Sequence, residues 1–448
     1  MKVFNTINEK ANKMKNILIK GANVLKKGAN ILNNGANILD NGANFINEGQ
    51  KKLNKLENKV ENLMNKGQLK FQIGNTSNRI VNKIPKFNFF NKPHLRGLVN
   101  INGTCYMNSI LQCLSHIPEL YNYFTKEKIT EIAEALEDQN CLLFPSFREV
   151  LVELWNTSNF MPYTPNKFKE RLGEKNPLFK DNYPNDAKDL LSFLLMELHE
   201  EMNQAVINNN LNNIFNNIEI QKNKKLMFNY FRQNFMNNYR SIISGLFFGM
   251  IYIKTQCSFC QTALYNYQLF NFLIFPLQDV LQYKIKLNNY QNDCNNTVSI
   301  EDCFKYSQLP CCLNNYQCKC CNNNVQSIFT TYLSILPNII IIILNRRVIN
   351  NANVKISFNE NLQLKNYVEY LNDECIYELI GVVTHYGTSN ENGHFMARCL
   401  SPFDGMWYLY NDIVVKQIGY FNKEEFQEGN PYILFYKKTN FRHVKYLG

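Results

Sequence analysis

Gly97-Leu98-Val99-Asn100-Ile101-Asn102-Gly103-Thr104-Cys105-Tyr106-Met107-Asn108-Ser109-Ile110-Leu111-Gln112 changes character in its middle. As far as Thr104 the run is polar and holds two glycines, the composition of a loop; beyond it Met107, Ile110, Leu111 and Leu114 recur at helical spacing. Cys105 is therefore expected at the start of a helix, with Thr104 as its N-cap. Unpaired N–H groups and the macrodipole at such an end favour a thiolate. A cysteine so placed is more often structural than nucleophilic, so the reading turns on what the rest of the chain supplies.

A thiol nucleophile needs a histidine to take and return its proton, and an Asn or Asp to hold that imidazole. The chain has six histidines, and two stand in Thr384-His385-Tyr386-Gly387 and Asn392-Gly393-His394-Phe395-Met396-Ala397-Arg398, shortly before Trp407-Tyr408-Leu409-Tyr410-Asn411-Asp412. Leu379 to Val383, Phe395 to Cys399 and Met406 to Tyr410 alternate with polar turns, the pattern of an antiparallel meander. Ile339 to Leu344, short, β-branched and preceded by Pro337, is expected as a buried strand.

Two further patterns lie between these segments. Asp186-Ala187-Lys188-Asp189 opens a helix whose apolar residues are Leu190, Leu191, Leu194, Leu195 and Leu198, and an acid at that position favours the helix dipole. Cys257-Ser258-Phe259-Cys260 and Cys318-Lys319-Cys320-Cys321 form two C-x-x-C pairs at the spacing of paired knuckles in a zinc ribbon. Four thiolates complete a tetrahedron, so an ion held by Cys257, Cys260, Cys318 and Cys321 is structural and leaves no open position for hydrolysis. Cys320 and the Cys311-Cys312 pair are the alternative ligands; Cys113, Cys141, Cys294, Cys303, Cys375 and Cys399 suit ordinary buried or loop positions.

Taken together, the cysteine and histidine segments resemble the Cys and His boxes of the ubiquitin-specific protease family, over about Leu95 to Lys438, ending in the strand-like Tyr432-Ile433-Leu434-Phe435-Tyr436. The resemblance implies an α+β, papain-like fold with a helical thumb, a palm, and antiparallel β fingers whose tips the zinc stitches together. It implies that Cys105 is the nucleophile, His394 the general base and acid, and Asn411 the third member of the triad. Asn100 matches the side chain that donates to the oxyanion, and Asp412 the adjacent acid that supports His394 or the oxyanion site. Gly393 falls in the substrate-binding Gly-His-Phe element, and Asp186 matches a carboxylate that meets an arginine of ubiquitin's tail. His385 corresponds to a family histidine that is not the base. The chain departs from the family where Asn102-Gly103 stands for Gly-Asn, which calls for a left-handed asparagine at 102, and where Pro184-Asn185 stands for Gln-Gln.

The implied activity is hydrolysis of the isopeptide or peptide bond after ubiquitin's C-terminal glycine. Two alternatives use the same residues: a catalytically impaired ubiquitin-binding scaffold, and a protease for a ubiquitin-like modifier. Joint retention of Cys105, His394, Asn411 and Asn100 favours the active enzyme.

Outward from these motifs, the 448 residues, 45% of them hydrophobic, suffice for a large core. The formal charge of +11 is not spread evenly: residues 1–94 hold 17 Lys+Arg against 5 Asp+Glu, or +12, and the rest hold 31 against 32, or −1. The near-neutral body and the lack of an aromatic-basic module argue against nucleic-acid binding. Gly-Ala-Asn recurs with a period of seven from Gly21, Gly28, Gly35 and Gly42, aligning Leu18, Leu25, Leu32 and Leu39 beside Ile17, Val24, Ile31 and Ile38. Residues 1–66 are thus expected as a basic amphipathic helix or a disordered tail, and residues 17–64 as the contact with a membrane surface or coiled-coil partner. Residues 67–94 are expected as a linker, 95–438 as the catalytic domain and 439–448 as a tail. Without an N-terminal apolar run or a spanning stretch, a reduced compartment is expected, cytoplasmic or nuclear, with peripheral membrane association through the first segment.

Overall fold

The computed structural model describes residues 95–439 apart from 127–128, 131–132, 134–142, 157–159, 182, 205–216, 288–295, 347–353, 370–374 and 388–392. The repeat segment 1–66, the linker 67–94 and the tail from 440 lie outside the described residues.

The first half of the described chain is helical: Cys105–Ser115, Pro118–Phe124, Phe144–Leu154, Asn166–Lys175, Ala187–Met202, Lys224–Asn238 and Ile242–Phe247. Strands then take over as β1 (Gly249–Cys257), β2 (Ala263–Phe270), β3 (Leu273–Pro276), β4 (Thr297–Ser299), β5 (Cys311–Gln317), β6 (Asn324–Ile335), β7 (Ile339–Asn345), β8 (Lys355–Ser357), β9 (Asn361–Gln363), β10 (Ile376–Gly387), β11 (Gly393–Leu400), β12 (Trp407–Asn411), β13 (Val414–Gly419) and β14 (Asn430–Lys438). The expected meander is β10–β11–β12, antiparallel throughout.

The large sheet runs β13-β12-β11-β10-β14-β7-β3, with β9 pairing the start of β10. Its strand β7 explains the unbroken Ile339–Leu344 run. Ile339, Ile341 and Ile343 point into a core shared with the Cys105–Ser115, Phe144–Leu154 and Ala187–Met202 helices. Ile340, Ile342 and Leu344 point into a second core with the Leu277–Leu287 and Ile300–Ser307 helices. A strand buried on both faces has no solvent side on which polar residues could alternate.

A separate four-stranded antiparallel sheet, β2-β1-β6-β5, carries both C-x-x-C pairs at the ends of its hairpins. The base of β1 stacks Tyr252 on Tyr332 with ring centroids 4.9 Å apart, and Lys224 lies over the Tyr252 ring while also pairing with Glu369. Among the described residues no helix is long and apolar enough to cross a membrane.

Candidate functional site

The helix that begins at Cys105 is buried along its whole length, packed on β11 and on the Ala187–Met202 helix. The loop before it is held by side chains. Asn100 Oδ1 accepts from the backbone N–H of Gly103 and of Thr104, both at 2.8 Å. Asn102 takes φ +50° and Gly103 φ +96°, so the left-handed asparagine expected at 102 is present, and a left-handed glycine follows it. Thr104 stands where the N-cap was expected, but its hydroxyl makes no cap. It accepts from Ile101 N at 2.8 Å instead, because the turn folds the hydroxyl back over the loop.

The meander delivers the imidazole to the thiol. His394 is the second residue of β11 and Asn411 the last of β12, and His394 Nε2 lies 2.6 Å from Asn411 Oδ1. His394 also hydrogen-bonds Cys105. That bond, followed by the Asn411 bond and the nearby Asp412 charge, outweighs half-burial and holds the imidazole up at about 9. An imidazole placed between a thiol and an amide oxygen can take a proton on one side while the other side fixes its ring.

Asp412 follows Asn411 in a left-handed conformation, φ +51°. Its Oδ2 accepts from Asn100 Nδ2 at 2.9 Å and stands 3.8 Å from His394 Nε2, so the carboxylate sits closer to the loop amide than to the imidazole. Its Oδ1 accepts from Asn108 Nδ2 at 2.7 Å. Sequence reading leaves Asn108 as one polar member of the helix. The signal it carried was an amide one turn after Cys105, followed on the same face by the amide of Gln112 at i+4. Asp412 also anchors the chain that leads into the loop: Leu98 N donates to its carbonyl at 2.9 Å, and a β-carbon on Gly97 would meet the Asp412 and Ile413 carbonyls within 2.6 Å.

Gly393 owes its identity to His385. A β-carbon there would overlap the His385 imidazole, which lies against it on the neighbouring strand. His385 is buried, its pKa is lowered by that burial, and its Nε2 has no hydrogen-bond partner among the described residues. It therefore stands as a neutral packing ring rather than a second base.

Asp186 N-caps its helix, accepting from Lys188 N at 2.9 Å. Tyr432 OH donates to both carboxylate oxygens at 2.8 Å, and Lys188 Nζ lies 3.0 Å from Oδ2. The carboxylate thus faces β14, the last strand in chain order and a central one in the large sheet, and already holds one cation. Pro184, two residues earlier, packs against the loop before Cys105: a β-carbon on Gly103 would stand 3.3 Å from its ring. The two departures from the family pattern touch one another.

At the far end of the four-stranded sheet the sulfurs of Cys257, Cys260, Cys318 and Cys321 all lie within 4.8 Å of one another. Cys257 and Cys321 are 4.0 Å apart and Cys260 and Cys318 3.8 Å, close to the edge of about 3.8 Å that a tetrahedron with Zn–S bonds near 2.3 Å requires. Backbone N–H groups of Cys260 and Cys320 point at the sulfurs of Cys257 and Cys318, at 3.5 and 3.4 Å. The residue after each pair, Gln261 and Asn322, is left-handed at φ +57° and +60°, so both knuckles turn alike. Cys320, Cys311 and Cys312 fall outside this set.

The family model described as ubiquitin carboxyl-terminal hydrolase matches residues 96–436. Ubiquitin carboxyl-terminal hydrolase Usp2 of Drosophila melanogaster is 26% identical over 353 residues, covering 77% of this chain and 35% of that protein. Ubiquitin carboxyl-terminal hydrolase 2 of Homo sapiens is 26% identical over 356 residues, covering 77% and 55%. The chain therefore spans between a third and just over half the length of these curated relatives. The solved SAGA DUB module Ubp8/Sgf11/Sus1/Sgf73 bound to monoubiquitin shares the fold, with a TM-score of 0.54 at 21% identity over 81% of this chain and 72% of that one. A family match that begins at Arg96 and ends on Tyr436, inside the final strand, takes in both boxes and the cysteine ribbon between them, and the chain belongs to the ubiquitin carboxyl-terminal hydrolases as a ubiquitin-specific protease.

Proposed function

We propose that the chain is a cysteine-type deubiquitinase whose catalytic domain spans residues 95–438. The observation that carries the reading is the hydrogen-bonded line from Cys105 through His394 to Asn411, with His394 held up at about 9. In this mechanism the end of ubiquitin's glycine-terminated tail reaches the start of the Cys105 helix beside His394, where thiol and imidazole meet. The Cys105 thiolate attacks the last carbonyl, the carbonyl π electrons move to oxygen, and an Asn100 N–H steadies the oxyanion. Collapse breaks the C–N bond as His394 gives its proton to the leaving lysine amine. A water, deprotonated by the now neutral His394, then hydrolyses the thioester and frees Cys105.

Asp186 receives a tail arginine, which displaces or joins Lys188, and Gly393 leaves the strand edge bare beside His394. The four cysteines hold a structural zinc that ties the finger hairpins together and contributes no step of the reaction. Support for ubiquitin as partner comes from the names of the relatives and from the monoubiquitin-bound neighbour of like fold. The basic repeat of residues 17–64 serves as a tether to a membrane surface or coiled-coil partner in a cytoplasmic or nuclear setting; a chain starting at Leu95 that keeps the full chain's location and partners would overturn that role.

The test is intact-mass analysis after exposure to ubiquitin bearing a C-terminal electrophile, with Cys105→Ala alongside. An adduct on the wild type alone is expected. A folded, zinc-loaded wild type that forms none overturns the reading and favours the impaired scaffold or a ubiquitin-like substrate, and an adduct on both proteins overturns Cys105 as the reacting thiol.

A further inference from the structure

Asn108 occupies a costly position. Only 2% exposed, it directs one nitrogen at three acceptors: Asp412 Oδ1 at 2.7 Å, Val99 O at 3.3 Å and Leu98 O at 3.4 Å. That surround fixes which end of the amide is nitrogen. Its own oxygen is buried with no partner among the described residues. An orphaned buried carbonyl destabilises the fold, and a core position that accepts such a loss points to a use elsewhere.

The use follows from what Asp412 does. Its Oδ2 takes the N–H of Asn100, whose oxygen holds the backbone N–H groups of Gly103 and Thr104, the two residues that lead into Cys105. The Asn100 amide is therefore clamped at both ends, with its second N–H left over. We propose that Asn108 is a positioning residue for the reaction: by gripping Oδ1 it keeps the Asp412 carboxylate turned onto Asn100 and 3.8 Å away from His394, leaving the imidazole to Asn411. Asn108 lies one helical turn beyond Cys105, so the element that carries the thiol also sets the acid that orients its loop. Released, the carboxylate could rotate about its side chain toward His394, and Asn100 would lose the acceptor that fixes its orientation.

The inference rests on the deubiquitinase reading, and one experiment separates the two. Steady-state hydrolysis of ubiquitin carrying a C-terminal fluorogenic amide is measured for the full chain as wild type, Asn108→Ala, Asp412→Ala and the double variant, beside thermal melting of each. Asn108→Ala is expected to lower kcat roughly 10²-fold, the loss that accompanies a misplacement of about 1 Å, with KM unchanged. In the Asp412→Ala background the same substitution is expected to change kcat by less than about twofold, because the two act as one unit.

Equal losses in both backgrounds would overturn the proposal in favour of a structural role on the Leu98 and Val99 carbonyls. So would a kcat that falls only with the folded fraction. If Asn108→Ala does not fold, Asn108→Ser, too short to reach Asp412, takes its place in the same cycle with the same expectations. A wild type with no turnover overturns the deubiquitinase reading and this inference with it, whereas a turning-over wild type with an additive cycle overturns this inference alone.

Discussion

The imidazole of His385 lies against the α-carbon of Gly393, the residue that precedes His394, so closely that no side chain fits between them. The hairpin therefore sets the height of His394 over Cys105 by direct contact between two strands. Gly393→Ala is expected to push β11 outward and lower kcat roughly 10²-fold. Gly393→Ala with His385→Ala should recover part of that loss, since the obstacle is then gone. Kinetics of both variants on a ubiquitin fluorogenic amide decide it; full activity in Gly393→Ala would show that the contact is slack.

The pH profile follows from the pair of hydrogen bonds on His394. The folded-state pKa is raised to about 9, first by the bond to Cys105 and then by that to Asn411, so the protonated imidazole persists up to that pH and is lost above it. Activity should therefore fall as pH rises through about 9. Asn411→Ala removes one of the two raising bonds, and its alkaline limb should move to lower pH with a reduced maximum. An unmoved limb in a kcat/KM profile would argue that Asn411 does not touch the working imidazole.

At the loop before Cys105, Gly103→Ala places a β-carbon at φ +96° and 3.3 Å from Pro184. The left-handed strain alone costs about 1–3 kcal/mol. Adding Pro184→Ala should relieve only the contact and return a minor share. Chemical denaturation midpoints measure both, and a Gly103→Ala midpoint equal to wild type would contradict the strain argument.

For the cysteine ribbon, Cys257→Ser is expected to abolish stoichiometric metal in the purified protein, because removing one of four thiolates opens the tetrahedron. The loss should appear as early protease cleavage in β1–β2 and β5–β6, while the two large cores keep their melting transition. Metal content unchanged from wild type would mean that Cys320 or the Cys311-Cys312 pair supplies the fourth sulfur.

Much of this was legible in local pattern. The isoleucine run foretold β7, the polar-to-apolar change foretold the Cys105 helix, and paired C-x-x-C motifs foretold one cluster, because each signal is written in residues near each other in sequence. What escaped were contacts between distant positions. Asn108 meets Asp412 across 304 residues and Tyr432 meets Asp186 across 246, and no periodicity records either. Thr104 is the N-cap residue, as expected, but its hydroxyl makes no cap bond for a related reason: the nearby Asn100 oxygen takes the Thr104 N–H, and the hydroxyl turns back to Ile101 N. The seven-residue repeat lies outside the described residues.

Strand β14 slots between β10 and β7, pairing both antiparallel. Its residues are among the last of the described chain to be synthesised, yet they occupy the middle of the sheet that carries His394 and Asn411. During translation β10 and β7 wait apart with unpaired edges, and the imidazole has no rigid platform until residue 438 has cleared the ribosome. The seat of His394 is thus completed by the last strand of the described chain, and not by the strands that follow β10 directly.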